Sequence, residues 1–151
     1  MKRHGNLYNR VYAFDNLLSA ARKAQKGKRF KPNCRNFNLD LEKNLLTLQR
    51  QLKEKTYKPG PYTCFKIYEP KERLISAAPY RDRVVLHALV NVIEPIFDRA
   101  MVYDSYANRL GKGTHRAVDR FTEFSRKQPY VLKMDIVRFF PALIFKFSQT
   151  Q

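Results

Sequence analysis

The sequence predicts an α+β fold, on three observations. Apolar residues recur at helical spacing through the first fifty residues. Two short β-prone runs flank a turn near residue 70. Helical periodicity then returns before a final apolar run. With 151 residues, 44% of them hydrophobic, the chain suits one core and is too short for several domains.

The elements follow in order. Val11, Phe14, Leu17, Leu18 and Ala21 form a stripe that predicts a helix over about residues 11–24. A basic loop at 26–32, Lys-Gly-Lys-Arg-Phe-Lys-Pro, breaks that pattern. Leu41, Leu45, Leu48 and Leu52 share a face and predict a second helix over 39–53, ended by the turn chemistry of Tyr57-Lys58-Pro59-Gly60-Pro61. Strands are expected at 62–68 and 73–77, joined through Glu69-Pro70-Lys71-Glu72 as a hairpin. A helix starts near Tyr80 with Val85, Leu89 and Val92 on one face, and Pro95 is expected to kink or end it. Gly111-Lys112-Gly113 reads as a basic loop. Thr114 is a candidate cap for a helix carrying Ala117, Val118, Phe121 and Phe124. Residues 130–135 read as a buried apolar strand that ends on Asp135. No internal repeat or low-complexity tract interrupts this order.

The charge is lopsided. Thirty Lys and Arg against 13 Asp and Glu give a formal net charge of +17, and the pI is near 10.1. A polyanionic partner is expected, nucleic acid first, because neutralising phosphates releases counterions. An anionic membrane surface is the weaker rival, since the cations are spread along the chain and not gathered on one amphipathic helix. Nine Tyr and eleven Phe lie among the cations and suit base stacking, although most of the Phe are expected in the core. Cys34 and Cys64 form no C-x-x-C pair and read as reduced thiols. His4, His87 and His115 show no ligand or nucleophile–base spacing. With no signal core and no bilayer-length apolar run, a cytoplasmic location is the expectation.

Three places could carry chemistry. A carboxylate at the end of an apolar strand, Asp135, is placed to hold a hard cation that completes its shell with phosphate oxygens. A lone Asp is more often a strand-end cap or an ion-pair partner. Lys66, Lys71 and Arg73 lie on the hairpin, where three cations could clamp a triphosphate; a solvated basic edge is the plainer alternative. The run Ser105-Tyr106-Ala107-Asn108-Arg109-Leu110-Gly111-Lys112-Gly113-Thr114-His115 could bring backbone close to a phosphate, or could simply join two helices. It lacks Walker A spacing.

As a set these pieces resemble a known family. They are Tyr57-Lys58-Pro59-Gly60-Pro61-Tyr62, Tyr68-Glu69-Pro70-Lys71-Glu72-Arg73-Leu74-Ile75-Ser76, Asp82-Arg83-Val84-Val85 with His87-Ala88-Leu89, Ser105-Tyr106-Ala107-Asn108-Arg109, Gly111-Lys112-Gly113-Thr114-His115, and Asp135-Ile136 with Phe139-Phe140-Pro141. The chain resembles the N-terminal part of a reverse transcriptase of the group II intron and retron type, most of all those of diversity-generating retroelements. The resemblance implies an RNA-directed DNA polymerase with the fingers and first palm strand of a right-hand polymerase. The expected division is an N-terminal helical region over 1–60, a fingers-like region over 61–128, the first palm strand over 129–141 and a divergent tail over 142–151. Asp135 would be a catalytic carboxylate on Mg²⁺, with the Ile136 backbone carbonyl as a further ligand. Phe140 would select deoxynucleotides. Arg73, with Lys71 and Lys66, would meet the incoming triphosphate. Arg109 and Lys112 would lie along the template. Partners would be an RNA template, a DNA primer, dNTPs and an accessory helical protein, without a membrane.

Two departures from the family matter. No acidic residue follows Asp135, where family members carry one shortly after the Pro of this strand, and no two Asp residues are adjacent anywhere. The expectation is a truncated product, inactive alone, because one carboxylate cannot hold two divalent ions. A basic RNA-binding module without catalysis is the alternative.

Overall fold

A computed structural model describes residues 3–137. Six helices and a two-stranded sheet occur in the order α1 (Leu7–Val11), α2 (Phe14–Ala24), α3 (Pro32–Leu39), α4 (Leu41–Lys53), β1 (Thr63–Ile67), β2 (Arg73–Ala77), α5 (Tyr80–Ala100) and α6 (Thr114–Ser125). The α+β class holds at that level. The chain divides into two compact units, one ending at Met101 and one beginning at Val102.

The first unit is a helical body. Leu17, Ala20, Ala21 and Ala24 of α2 pack with Leu45, Leu48 and Leu52 of α4 and with Val84, Ala88 and Val92 of α5. The alanines leave room for α5 to approach closely, so α2 against α5 is the principal helix pair. Polar cross-links fix that pair. Asn16 Nδ2 donates to the Ala88 carbonyl at 2.9 Å, and Asn91 Nδ2 donates to Asn16 Oδ1 at 3.0 Å. The Tyr80 hydroxyl donates to the Ala21 carbonyl at 3.1 Å. On the other side, the Tyr8 hydroxyl ties α1 to the Leu52 carbonyl at 2.6 Å.

Several expectations change. The helix expected over 11–24 is α2, which starts at Phe14; the short α1 before it was not expected, and Asn16 Nδ2 donates to the Arg10 and Val11 carbonyls and so satisfies the free end of α1. Helix α3 was not anticipated. Proline at its first turn starts it well, but its polar run buries only Cys34. The buried face of α5 is Tyr80, Val84, Ala88 and Val92, rotated from the expected one; Leu89 is exposed. Pro95 lies inside α5, which continues to Ala100. Gly113, not Thr114, occupies the N-cap of α6. The apolar run before Asp135 forms no strand, and Tyr130, Leu132 and Ile136 are exposed. A strand needs a hydrogen-bonded neighbour, and among the described residues the two hairpin strands pair only with each other. None of the seven described phenylalanines is fully buried; leucine, valine and alanine, with Cys34 and Tyr80, make this core.

The hairpin is antiparallel, with Lys66 opposite Leu74 and Ile67 opposite Arg73. The second unit contains α6 and the loop before it. Val118, Phe121 and Phe124 line an exposed apolar side of α6. Residues 138–141, Phe140 among them, and the tail over 142–151 lie outside the described residues.

Candidate nucleic-acid interface

The hairpin is anchored by a carboxylate whose role the sequence did not reveal. Asp82 sits in the first turn of α5 and is 5% exposed. It accepts the Tyr57 hydroxyl at 2.7 Å and the Gly60 amide at 2.7 Å, and Arg81 Nε lies 3.4 Å away. Arg81 also donates to the Lys58 carbonyl and stacks over the Tyr57 ring at 5.1 Å. The run from Tyr57 to Gly60, which leads into β1, is thereby lashed to the helix that follows β2. A Cβ at Gly60 would lie 3.1 Å from Pro79 and 3.5 Å from the Asp82 carboxylate, so glycine suits this close approach. Burial alone would raise the Asp82 carboxyl. The bonds from Tyr57, Gly60 and Arg81 outweigh it and hold the group below the usual carboxylate range. Burial and the Asp82 bond push the Tyr57 phenol up to about 12. The available sequence signal was an acidic residue in a helix first turn, which the macrodipole favours. Its partners 22 and 25 residues upstream were not readable.

The three hairpin cations are not gathered on one face. Opposite residues in an antiparallel pair share a face, so Lys66 goes with Leu74, and Arg73 goes with Ile67 on the other side. Lys66 is ion-paired with Glu72 at 2.6 Å. Lys71 lies in the turn, outside β2. Among the described residues, the side chains of Lys71 and Arg73 meet no hydrogen-bond or ion-pair partner, so both remain available to a phosphate.

The loop before α6 spends its cations on itself. Arg109 Nη1 donates to the Val102 and Ser105 carbonyls at 3.0 and 3.1 Å. Lys112 Nζ donates to the Tyr103 carbonyl at 2.8 Å and lies 3.7 Å from the centre of the Tyr103 ring and 4.8 Å from that of Tyr106. Arg120 bridges Asp104 at 3.0 Å and Glu123 at 2.6 Å. These bonds hold both carboxyls below their ordinary range. Asn108, Gly111 and Gly113 adopt positive φ and shape the turns. Arg109 and Lys112 thus set the loop's own conformation, whatever else they touch.

Asp135 is exposed, and its Oδ1 accepts the Ile136 amide at 2.9 Å. Two-ion chemistry would need further oxygen ligands around it. Among the described residues no group of three or more His, Cys, Asp or Glu gathers anywhere. The donor set these residues offer does not fit a two-Mg²⁺ centre. No described helix is long and apolar enough to cross a membrane. Comparison with protein-family models and with curated proteins finds no match.

Proposed function

We propose that this chain is an RNA-binding, fingers-like portion of a reverse transcriptase that does not polymerise by itself. The observation that carries the reading is the cation inventory: 30 Lys and Arg against 13 acids, with Lys71 and Arg73 on an exposed hairpin and without partners among the described residues. Such a surface attracts a polyphosphate backbone through counterion release. The motif set from Tyr57 to Pro141 supplies the polymerase half of the reading. In that reading Arg73 and Lys71 meet phosphate near the hairpin tip, while Lys66 is held back by Glu72. A single carboxylate, Asp135, leaves catalysis without its second ligand.

Affinity should therefore be independent of Asp135. Anisotropy titration of a labelled single-stranded RNA should give the same affinity, within about twofold, for the native chain and for Asp135→Ala, because an exposed carboxylate contributes no phosphate contact. Loss of binding in Asp135→Ala would mean that this carboxylate, through a cation, belongs to the RNA site.

A further inference from the structure

The turn between α2 and α3 presents an arrangement outside the motifs that carry the family resemblance. Between Asp15 and Asp40 the chain has seven cations, Arg22, Lys23, Lys26, Lys28, Arg29, Lys31 and Arg35, and no carboxylate. Lys23 is used internally, donating to Asn91 Oδ1 at 2.6 Å. The side chains of Lys26, Lys28, Arg29 and Lys31 have no hydrogen-bond or ion-pair partner among the described residues. In their midst stands Phe30, 99% exposed; the next most exposed described phenylalanine, Phe97, is at 57%. A phenylalanine in that position forgoes the burial that normally stabilises it.

The turn is held by its backbone. Lys26 N donates to the Lys23 carbonyl at 3.2 Å, Lys28 N to Gln25 at 2.9 Å and Lys31 N to Lys28 at 3.0 Å. Gly27 takes a positive φ of 69°, and Pro32 opens α3 directly afterwards. Both flanking helices are seated in the core through Ala24 and Cys34. The aromatic ring is therefore carried on an anchored turn and does not hang from a free terminus. Lys31 continues onto a cleft of about 370 Å³ whose other cation is Arg83.

We infer that the α2–α3 turn is a single-stranded RNA contact, in which Phe30 stacks on an unpaired base while Lys28, Arg29 and Lys31 hold the flanking phosphates. A lone exposed ring among cations matches the stacking-plus-backbone mode by which unpaired nucleic acid is gripped without sequence preference. Duplex RNA offers no free base face to it. A membrane surface fits less well, because the turn has one apolar side chain and no amphipathic face to insert. This inference rests on the RNA-binding reading above and names where that binding occurs.

The test is anisotropy of fluorescein-labelled oligouridine with the full chain, comparing native protein, Phe30→Ala, Phe30→Tyr and Arg29→Gln. Phe30→Ala should weaken binding by roughly 5- to 100-fold with the salt slope unchanged, and Phe30→Tyr should restore it. Arg29→Gln should lower the log–log salt slope by about 0.7. A side chain this exposed can be removed without unfolding, which matching thermal melts would verify. Native affinity in Phe30→Ala, with salt-sensitive binding still present, overturns the inference and leaves the RNA-binding reading standing. Absence of binding by the native chain overturns both. Phe30-dependent binding to phosphatidylserine vesicles, without RNA binding, assigns the turn to a membrane surface instead.

Discussion

Replacing Asp82 by alanine should destabilise the first unit by about 2–4 kcal/mol, the largest effect expected of any single polar substitution among the described residues. The carboxylate accepts two hydrogen bonds of 2.7 Å, from a phenol and a backbone amide, in a site only 5% exposed. Its removal strands both donors. Urea unfolding followed by circular dichroism measures the change, and Asp82→Asn should recover part of it by keeping one acceptor. The effect has a pH signature. A carboxyl held below its unfolded value of about 3.8 stabilises the fold above that pH, and the contribution is lost as pH falls through the lower folded value. The gap between native protein and Asp82→Asn should therefore begin to narrow below about pH 4, as the unfolded carboxyl protonates, and should close only below the lower folded value, where the protonated acid resembles the amide. His87 acts in the same direction but earlier. Burial and then the charges of Lys23, Arg83 and Lys28 lower its pKa, so the stability it contributes above about pH 6.5 declines on acidification. At the alkaline end, the neutral Tyr57 phenol contributes fully below about pH 10, and that contribution is lost as pH rises towards about 12. The Tyr57–Asp82 bond is thus intact across the neutral range.

RNA affinity should fall steeply with salt. If about six phosphates of a single strand are neutralised, the log–log slope is about −4, and raising salt from about 50 to 200 mM weakens binding roughly 300-fold. Lys71, Arg73 and the α2–α3 turn supply enough unpartnered cations for that number of contacts. An affinity that changes less than about threefold over the same range would mean that the net charge of +17 is not what holds the ligand. Arg109, Lys112 and Arg120, committed to carbonyls and carboxylates of their own unit, should add little to the slope.

The helical body was legible because α2 and α4 carry leucine and alanine at helical spacing, and that period alone selects a buried face. Helix α3 was not, since Pro-Asn-Cys-Arg-Asn-Phe-Asn-Leu buries one small side chain and leaves no stripe to read. The buried face of α5 differs from the expected one because close packing against Ala20, Ala21 and Ala24 favours Val84 and the small Ala88 over the larger Leu89, while Val85 is only half-buried. The hairpin's existence followed from its turn residues, but its faces did not. The five residues between Ile67 and Arg73 set the register, and the register separates Lys66 from Arg73. Residues before Asp135 read as a strand on composition, yet a strand is a property of a pair, and the described residues give this segment no neighbour. Phe30 was legible as part of a basic loop and not as an exposed ring, because exposure depends on how the turn is held.

Primer extension tests the central claim most directly. A labelled DNA primer on an RNA template should be incubated with the native chain, dNTPs and Mg²⁺ at low salt, where the template is bound. The account predicts template binding and no extended primer, because among the described residues no group of three or more acidic, His or Cys side chains gathers at Asp135 to hold two ions. Template-dependent extension that disappears in Asp135→Ala would contradict the account and would mean that the chain assembles a complete polymerase centre by itself.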